Sequence, residues 1–496
     1  MLPEQPSSSQ EFKDKRLPHP SRFSKGGKDE PTVGIIGGGL AGLSAACALS
    51  SSGFRVTLFE RRPYLGGRAS SYEHPGTGEV VDNCQHVLFG CCTNLIAFYR
   101  TIGIESNIRW FDRMTFIEPG GRQSILEPNA LPAPLHVVPS FLRLKFLSPK
   151  DKFYLARALA KLTLGSPADD GTSFLDWLSR NHQTPAAIER FWKPILISAL
   201  SEDLDRISIP YAAQVVRETS KSRDARSMGV PTVPLTDLYK AARDFIVQHG
   251  GEVRLRSSVQ SFQPIQDAEK KVVKIKLGGS EEDFDYAILA APFDSVAKLL
   301  PDSPGSVNLR EQLSHFETSP ITGVHFWFDR QITDLPHAVL LDRTIQWMFH
   351  KSMLLDTSKP HRDGTQIPSY VELVISASKS LIKKSRQEII DLALAELREF
   401  FPAARDAQLL KATVIKELNA TFSPTPNIDR FRPPQQTGWP GVFLAGDWTA
   451  TGWPATMEGA VRSGYLAAEA LSKSAGNVRR FLVPDLPARG LTRIFL

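Results

Sequence analysis

Residues 33–60 read VGIIGGGLAGLSAACALSSSGFRVTLFE. Residues 33–36 form a short apolar run of the kind a parallel sheet buries, and Gly37, Gly39 and Gly42 then make G-x-G-x-x-G. An apolar helical pattern starts at Leu40, and a second run, residues 54–59, ends on Glu60, 18 residues after Gly42. That order is the fingerprint of a dinucleotide-binding strand–helix–strand unit. Gly37 permits a tight turn, Gly39 lets backbone approach a pyrophosphate, and Gly42 lets helix and strand pack closely. The N–H groups opened by Leu40 and Ala41 lie at the positive end of the helix, where phosphates bind, and the Glu60 carboxylate suits ribose hydroxyls.

The 496 residues are 42% hydrophobic and 23% charged, an ordinary globular balance with material for two or three domains. No apolar stretch approaches the roughly 20 residues that span a bilayer. Residues 1–30 are polar, of mixed charge and without an apolar core segment, so a disordered arm is expected rather than a signal peptide, and the expected location is cytoplasmic. Cys47, Cys84, Cys91 and Cys92 show neither a disulfide framework nor zinc spacing, and no metal is expected. The net charge of +6 is not arranged as a groove-binding motif with stacking aromatics, which argues against nucleic acid. Residues 135–164 interleave Arg143, Lys145, Lys150, Lys152, Arg157 and Lys161 with large apolar residues, and residues 478–496 have a similar character. Two readings fit: a peripheral surface on an anionic inner membrane, or an amphipathic helix with a solvated basic face.

The dinucleotide unit is interrupted. A second block of its pattern, within residues 229–305, holds a helix over 235–249 and strands at 252–255, 272–277 and 286–291. A third block, within residues 423–475, holds a strand at 442–445 and a helix from about Ala455. Residues 31–108, 229–305 and 423–475 therefore form one domain. Residues 109–228, expected to be largely helical, and 306–422, with strands at 323–328 and 370–376 and a helix near 383–401, form a second, and 476–496 a tail.

Two further motifs carry chemistry. After Glu60 comes RRPYLGGRAS, in which Gly66, Gly67, Arg61 and Arg68 offer bare backbone and guanidinium groups near the phosphate turn. Far downstream, VFLAGDWTATGWPATMEGAVRSG (residues 442–464) places Gly446 and Asp447 at a strand end, before a helix entered through Ala455 and Met457. Asp447 can accept hydrogen bonds from a ribityl chain, and the helix N-terminus can face the electron-rich edge of an isoalloxazine.

Together these motifs resemble the FAD-dependent amine oxidase and phytoene desaturase superfamily, over residues 31–471. The resemblance implies an α/β fold, a Rossmann-like FAD-binding domain interrupted by a mixed α+β substrate domain. It also implies noncovalent FAD, since no cysteine lies near Gly446 for a thioether link. DNCQHVLFGC (82–91), FWKPILISAL (191–200), VPLTDLY (233–239) and TGWPATMEGAVRSG (451–464) further resemble the squalene-associated FAD-dependent desaturases, the hydroxysqualene dehydroxylases. Cys84 departs from that pattern, which has glycine there, so a positive φ or a close flavin approach at this point would put the local geometry in doubt.

The narrower resemblance implies reductive loss of an allylic hydroxyl from a linear C30 isoprenoid, with an electron donor the residues do not name. An acidic group must assist the departing hydroxide, and an apolar tunnel must hold the chain. Gln85, His86 and Glu458 are the polar candidates; His86 as a satisfied structural histidine and Glu458 as a capping carboxylate are the alternatives. Trp453 is a candidate for substrate contact, as are His325 and Trp327, which share one strand face and could equally be core. Rival activities are a carotenoid-type desaturase, an amine oxidase, and a non-catalytic isoprenoid carrier that would not need Glu60, Arg68 and Asp447.

Overall fold

The computed structural model describes residues 30–494 except 166, 267–270 and 356–368, so the expected arm at 1–30 lies outside them but for Glu30. Five parallel strands form the first sheet, in the order Glu252–Arg254, Arg55–Phe59, Thr32–Ile36, Tyr286–Leu289, Val442–Leu444. All five come from residues 31–108, 229–305 and 423–475. The central strand is apolar on both faces, as a buried parallel strand must be. Val33 and Ile35 meet the helices Leu40–Ser50, Leu235–Gln248 and Met457–Ser474, while Ile36 faces the antiparallel strands Val259–Gln266, Lys271–Leu277 and Ser280–Phe284.

A seven-stranded sheet forms the second domain, in the order Leu409–Phe422, Thr318–Phe328, Ser369–Ser376, Trp347–His350, His337–Leu340, Met114–Ile117, Gln123–Leu126. Val324, Phe326 and Phe328 point to one face and pack under the helix Arg386–Phe400. The opposite face looks toward the helices of residues 149–220 and the first domain.

Residues 109–228 are not simply helical. Met114–Ile117 and Gln123–Leu126 form a hairpin that completes the sheet, its turn made by Gly120 (φ 89°) and Gly121 (φ 84°). Met228–Pro231, at one end of the insertion, pairs on one side with Ile108–Phe111, at the other end, and on its other side with Leu88–Phe89. The inserted chain therefore leaves and re-enters through one small sheet beside the Asp82–His86 segment. The tail is also tied down: Phe481 and Leu482 donate backbone hydrogen bonds to Glu469 Oε1, and Arg462 pairs with Asp485 at 2.6 Å.

Two glycines let the first helix sit where it does. A Cβ on Gly42 would overlap the Gly37 carbonyl, and one on Gly464 would overlap Ala41 O and Ser44 Oγ of the crossing helix. Gly464→Ala is expected to destabilise the protein by about 1–3 kcal/mol or more through this overpacking. A thermal melt matching the wild type would show that the two helices do not meet through this glycine.

Candidate functional site

A continuous cavity of about 1190 Å³ opens at the carboxyl ends of the parallel strands and runs into the second domain. It exceeds the roughly 300–1,000 Å³ of a single-ligand site, which leaves room for a dinucleotide and a second molecule. Gly37, Gly39, Leu40, Ala41, Glu60, Arg61, Gly66 and Gly67 line one end. The first helix begins at Gly39 with no side-chain cap and no acidic residue in its first turn, so its N–H groups are free for an anion. Gly38 N and Arg62 N donate to Glu60 at 2.7 and 2.8 Å, which fixes the carboxylate beside that turn. A Cβ on Gly39 would meet nothing nearer than Gly67 Cα at 3.8 Å. Its glycine thus leaves a cradle that the protein itself does not fill. Gly42 lies outside the lining and serves packing alone.

Gly446, Asp447, Trp453, Ala455 and Met457 also line the cavity. Gly446 has φ 150° and a Cβ there would overlap the Trp448 ring. The loop is braced by Arg432, a buried residue that sequence reasoning missed: its guanidinium donates to Asp447 O (2.9 Å), Thr449 O (2.5 Å) and Thr451 Oγ1 (2.9 Å). Arg68 does not stand free to face an anion. It donates to Asp447 Oδ1 at 2.7 Å and to Ala420 O at 2.8 Å, clamping the loop to the second domain. The donors, the carboxylates and the open cradle fit a flavin dinucleotide.

Between the two ends lies the Cys84–His86 segment. Cys84 is buried, lines the cavity and has no positive φ, so its side chain costs no backbone strain. The His86 Nδ1 lies 2.7 Å from Cys84 O and must carry a proton to bond it, which leaves Nε2 as the lone pair of the neutral ring. Burial pulls the His86 pKa below the usual histidine value, favouring that neutral form. Gln85 donates to His86 O and accepts from Lys351 at 2.8 Å, so it holds the histidine rather than reaching the cavity freely. Lys351 is buried and also donates to Asp82 Oδ2 at 2.6 Å, with Glu372 at 3.6 Å, beyond hydrogen-bonding distance. Burial opposes the charge on Asp82, but Lys351 outweighs it and holds the carboxyl below its usual range. Burial pushes Glu372 up to about 8.

Three expected side chains are used otherwise. Glu458 is fully buried and accepts from Asn94 N, Asn94 Nδ2 and Leu95 N at 2.7–3.2 Å, so it caps the helix Thr93–Thr101. His325 and Trp327 do share a face with the cavity wall, but at its covered end. Trp327 stacks on Tyr370 at 4.6 Å beneath Val81, and His325 Nδ1 bonds Tyr370 at 2.8 Å. On the same face Ile321, Val374, Trp347 and Phe349 reach the cavity instead. Arg226, also missed, lines the cavity with no hydrogen-bonded or ion-paired side-chain partner among the described residues, and burial lowers its pKa to about 10.

Residues 40–472 match the family described as flavin containing amine oxidoreductase. The chain is 28% identical over 457 residues to a 15-cis-phytoene desaturase of Synechococcus elongatus, covering 88% of this chain and 95% of the relative. It is 30% identical over 461 residues to a 15-cis-phytoene desaturase of an Oncidium hybrid cultivar, covering 88% and 77%. A zeta-carotene desaturase of Synechocystis is 26% identical over 480 residues, covering 88% and 96%. Among solved structures, an oxidoreductase from Methanosarcina mazei has the same fold, with a TM-score of 0.68 at 17% identity over 87% of this chain and 98% of that one. Cyclohexylamine oxidase from Brevibacterium oxydans gives 0.65 at 17%, over 90% and 100%.

The raised Glu372 pKa has a definite sign in stability. An unfolded chain ionises this carboxyl near 4.5, the folded chain only near 8, so its contribution is present at low pH and lost as pH rises between those values. In paired thermal melts, Glu372→Gln should gain on the wild type steadily from pH 5 to pH 8. Parallel curves would show that Glu372 is already ionised in the folded protein.

Proposed function

The chain belongs to the flavin containing amine oxidoreductase family, and we propose that within it the protein is an FAD-dependent reductase that converts hydroxysqualene to squalene. The observation that carries this reading is a convergence. Three of the four segments that resemble the hydroxysqualene dehydroxylases supply cavity wall, through Cys84 and His86, Phe191 and Trp192, and Trp453 and Met457. When bound and reduced, FAD supplies the hydride that replaces the departing allylic hydroxyl.

The chain's own residues account for the rest. Glu60, the turn and helix start at Gly37–Ala41, and Asp447 would hold the dinucleotide at the strand ends. Phe191, Trp192, Trp347 and Phe349 line an apolar space, the last two stacked at 5.6 Å. Aromatic faces there bind a C30 chain and favour positive charge developing along it. The neutral His86 Nε2 accepts a hydrogen bond from a substrate hydroxyl and orients it, and the hydroxide leaves as water with a proton drawn from solvent, since the ring has none to give at that atom. Lys351 and Gln85 fix the segment that carries it.

A carotenoid-type desaturase is the second reading, favoured by the printed activities of the relatives, and it would run hydride in the opposite direction. A lone-pair nitrogen at His86 would suit it as a proton acceptor. Anaerobic incubation of the dithionite-reduced protein with hydroxysqualene separates the two. Squalene is the expected product; no squalene, together with phytoene desaturated under oxidising conditions, would reverse the assignment. His86→Ala is expected to keep bound yellow FAD and to lose about a hundredfold or more in turnover. Wild-type turnover would remove His86 from the mechanism.

A further inference from the structure

The cavity's far mouth is built from two stretches distant in sequence. Leu135, Val138, Ala156, Ala160, Leu164 and Leu491 are at once cavity lining and solvent-exposed. The stretches are locked together there: Leu491 N donates to Ala133 O at 2.8 Å, and Arg489 N and Thr492 Oγ1 both donate to Lys221 O. Exposed apolar side chains gather around the same opening. Of fifteen large exposed hydrophobic residues among those described, six fall in residues 131–164, among them Leu131, Leu142 and Phe153 (60% exposed), and Leu491 is a seventh.

The helix Pro149–Leu164 explains part of this. Phe153, Ala156, Ala160 and Leu164 recur at helical spacing and form one exposed apolar stripe, while Leu155, Ala158 and Leu162 face the core. Cations flank the stripe. Arg143, Lys145, Lys150 and Arg157 are exposed, and none forms a salt bridge among the described residues. Apolar side chains for insertion, with exposed cations outside any salt bridge close to them in the chain, match a leaflet bearing anionic headgroups. No helix among the described residues is long and apolar enough to cross a membrane.

We propose that this rim docks on the anionic leaflet of a bilayer, so that the cavity mouth opens directly into the hydrocarbon from which an apolar ligand enters. The use of such a doorway follows from the isoprenoid reading; the surface itself does not depend on it. The FAD-loaded protein is sedimented, without substrate, with vesicles of phosphatidylcholine alone or mixed with phosphatidylglycerol. The wild type should pellet with the mixed vesicles, far less with the neutral ones, and lose binding as salt rises. The variant R143E/K145E/K150E/R157E should bind the mixed vesicles at least about a hundredfold more weakly. A second variant, Leu142→Ser with Phe153→Ser, should also bind more weakly while retaining the flavin spectrum and melting temperature of the wild type. Wild type that stays in the supernatant with both vesicles, equal binding to both, or undiminished binding by the charge-reversed variant would overturn the proposal. Docking without hydroxysqualene turnover would fault the substrate reading alone.

Discussion

A single buried ammonium, that of Lys351, fastens the two halves of the molecule beneath the cavity. It follows the strand Trp347–His350 of the second domain and reaches Asp82 and Gln85 of the first. The Asp82 carboxylate in turn takes Ser71 Oγ at 2.6 Å and the backbone N–H of Leu235, at the start of a helix packed on the parallel sheet. Removing one partner of such a pair leaves the other charge buried and unmatched, at a cost of about 3–5 kcal/mol. The position of His86, four residues after Asp82, is therefore set by both domains at once. A shift of either domain moves the imidazole that lines the cavity between its two ends.

The two ends of that cavity are built on opposite principles. The dinucleotide end is polar backbone: an uncapped helix N-terminus, glycines and a carboxylate already held by two N–H groups. The substrate end is side chain, aromatic and aliphatic, and it widens toward an apolar rim. Arg432 and Arg68 stiffen the loop where the ends meet, through hydrogen bonds to Ala420, Asp447, Thr449 and Thr451.

Much of the first domain was legible because its signals are local. Strand, glycine turn, helix and Glu60 lie within 28 residues, and each glycine has a task that a Cβ would prevent or a ligand needs. The downstream strands at 286–289 and 442–444 stand out as apolar runs, and the one at 252–254 follows the Gly250-Gly251 stop of a helix. The hairpin at residues 114–126 was hidden inside a helical region, although Pro119-Gly120-Gly121 between two alternating runs was a turn signal. Lys351, the one charge in the apolar WMFHKSMLL, is a second such signal: a charge there must be paired. His325 and Trp327 were placed on the correct face, but periodicity cannot say where along a strand a cavity ends. Glu458 and Arg68 were read from their neighbourhood in sequence, whereas their partners, Asn94, Leu95 and Ala420, are hundreds of residues away.

The proposed reaction requires one cavity to hold the flavin and an apolar chain together. Titrating the FAD-loaded protein with squalane, a saturated C30 hydrocarbon that cannot react, tests this directly by visible difference spectroscopy. One cavity predicts a saturable perturbation of the flavin bands as the chain displaces water beside the ring. A flat difference spectrum, with squalane shown to be bound in the same sample, would place the chain elsewhere and contradict the account.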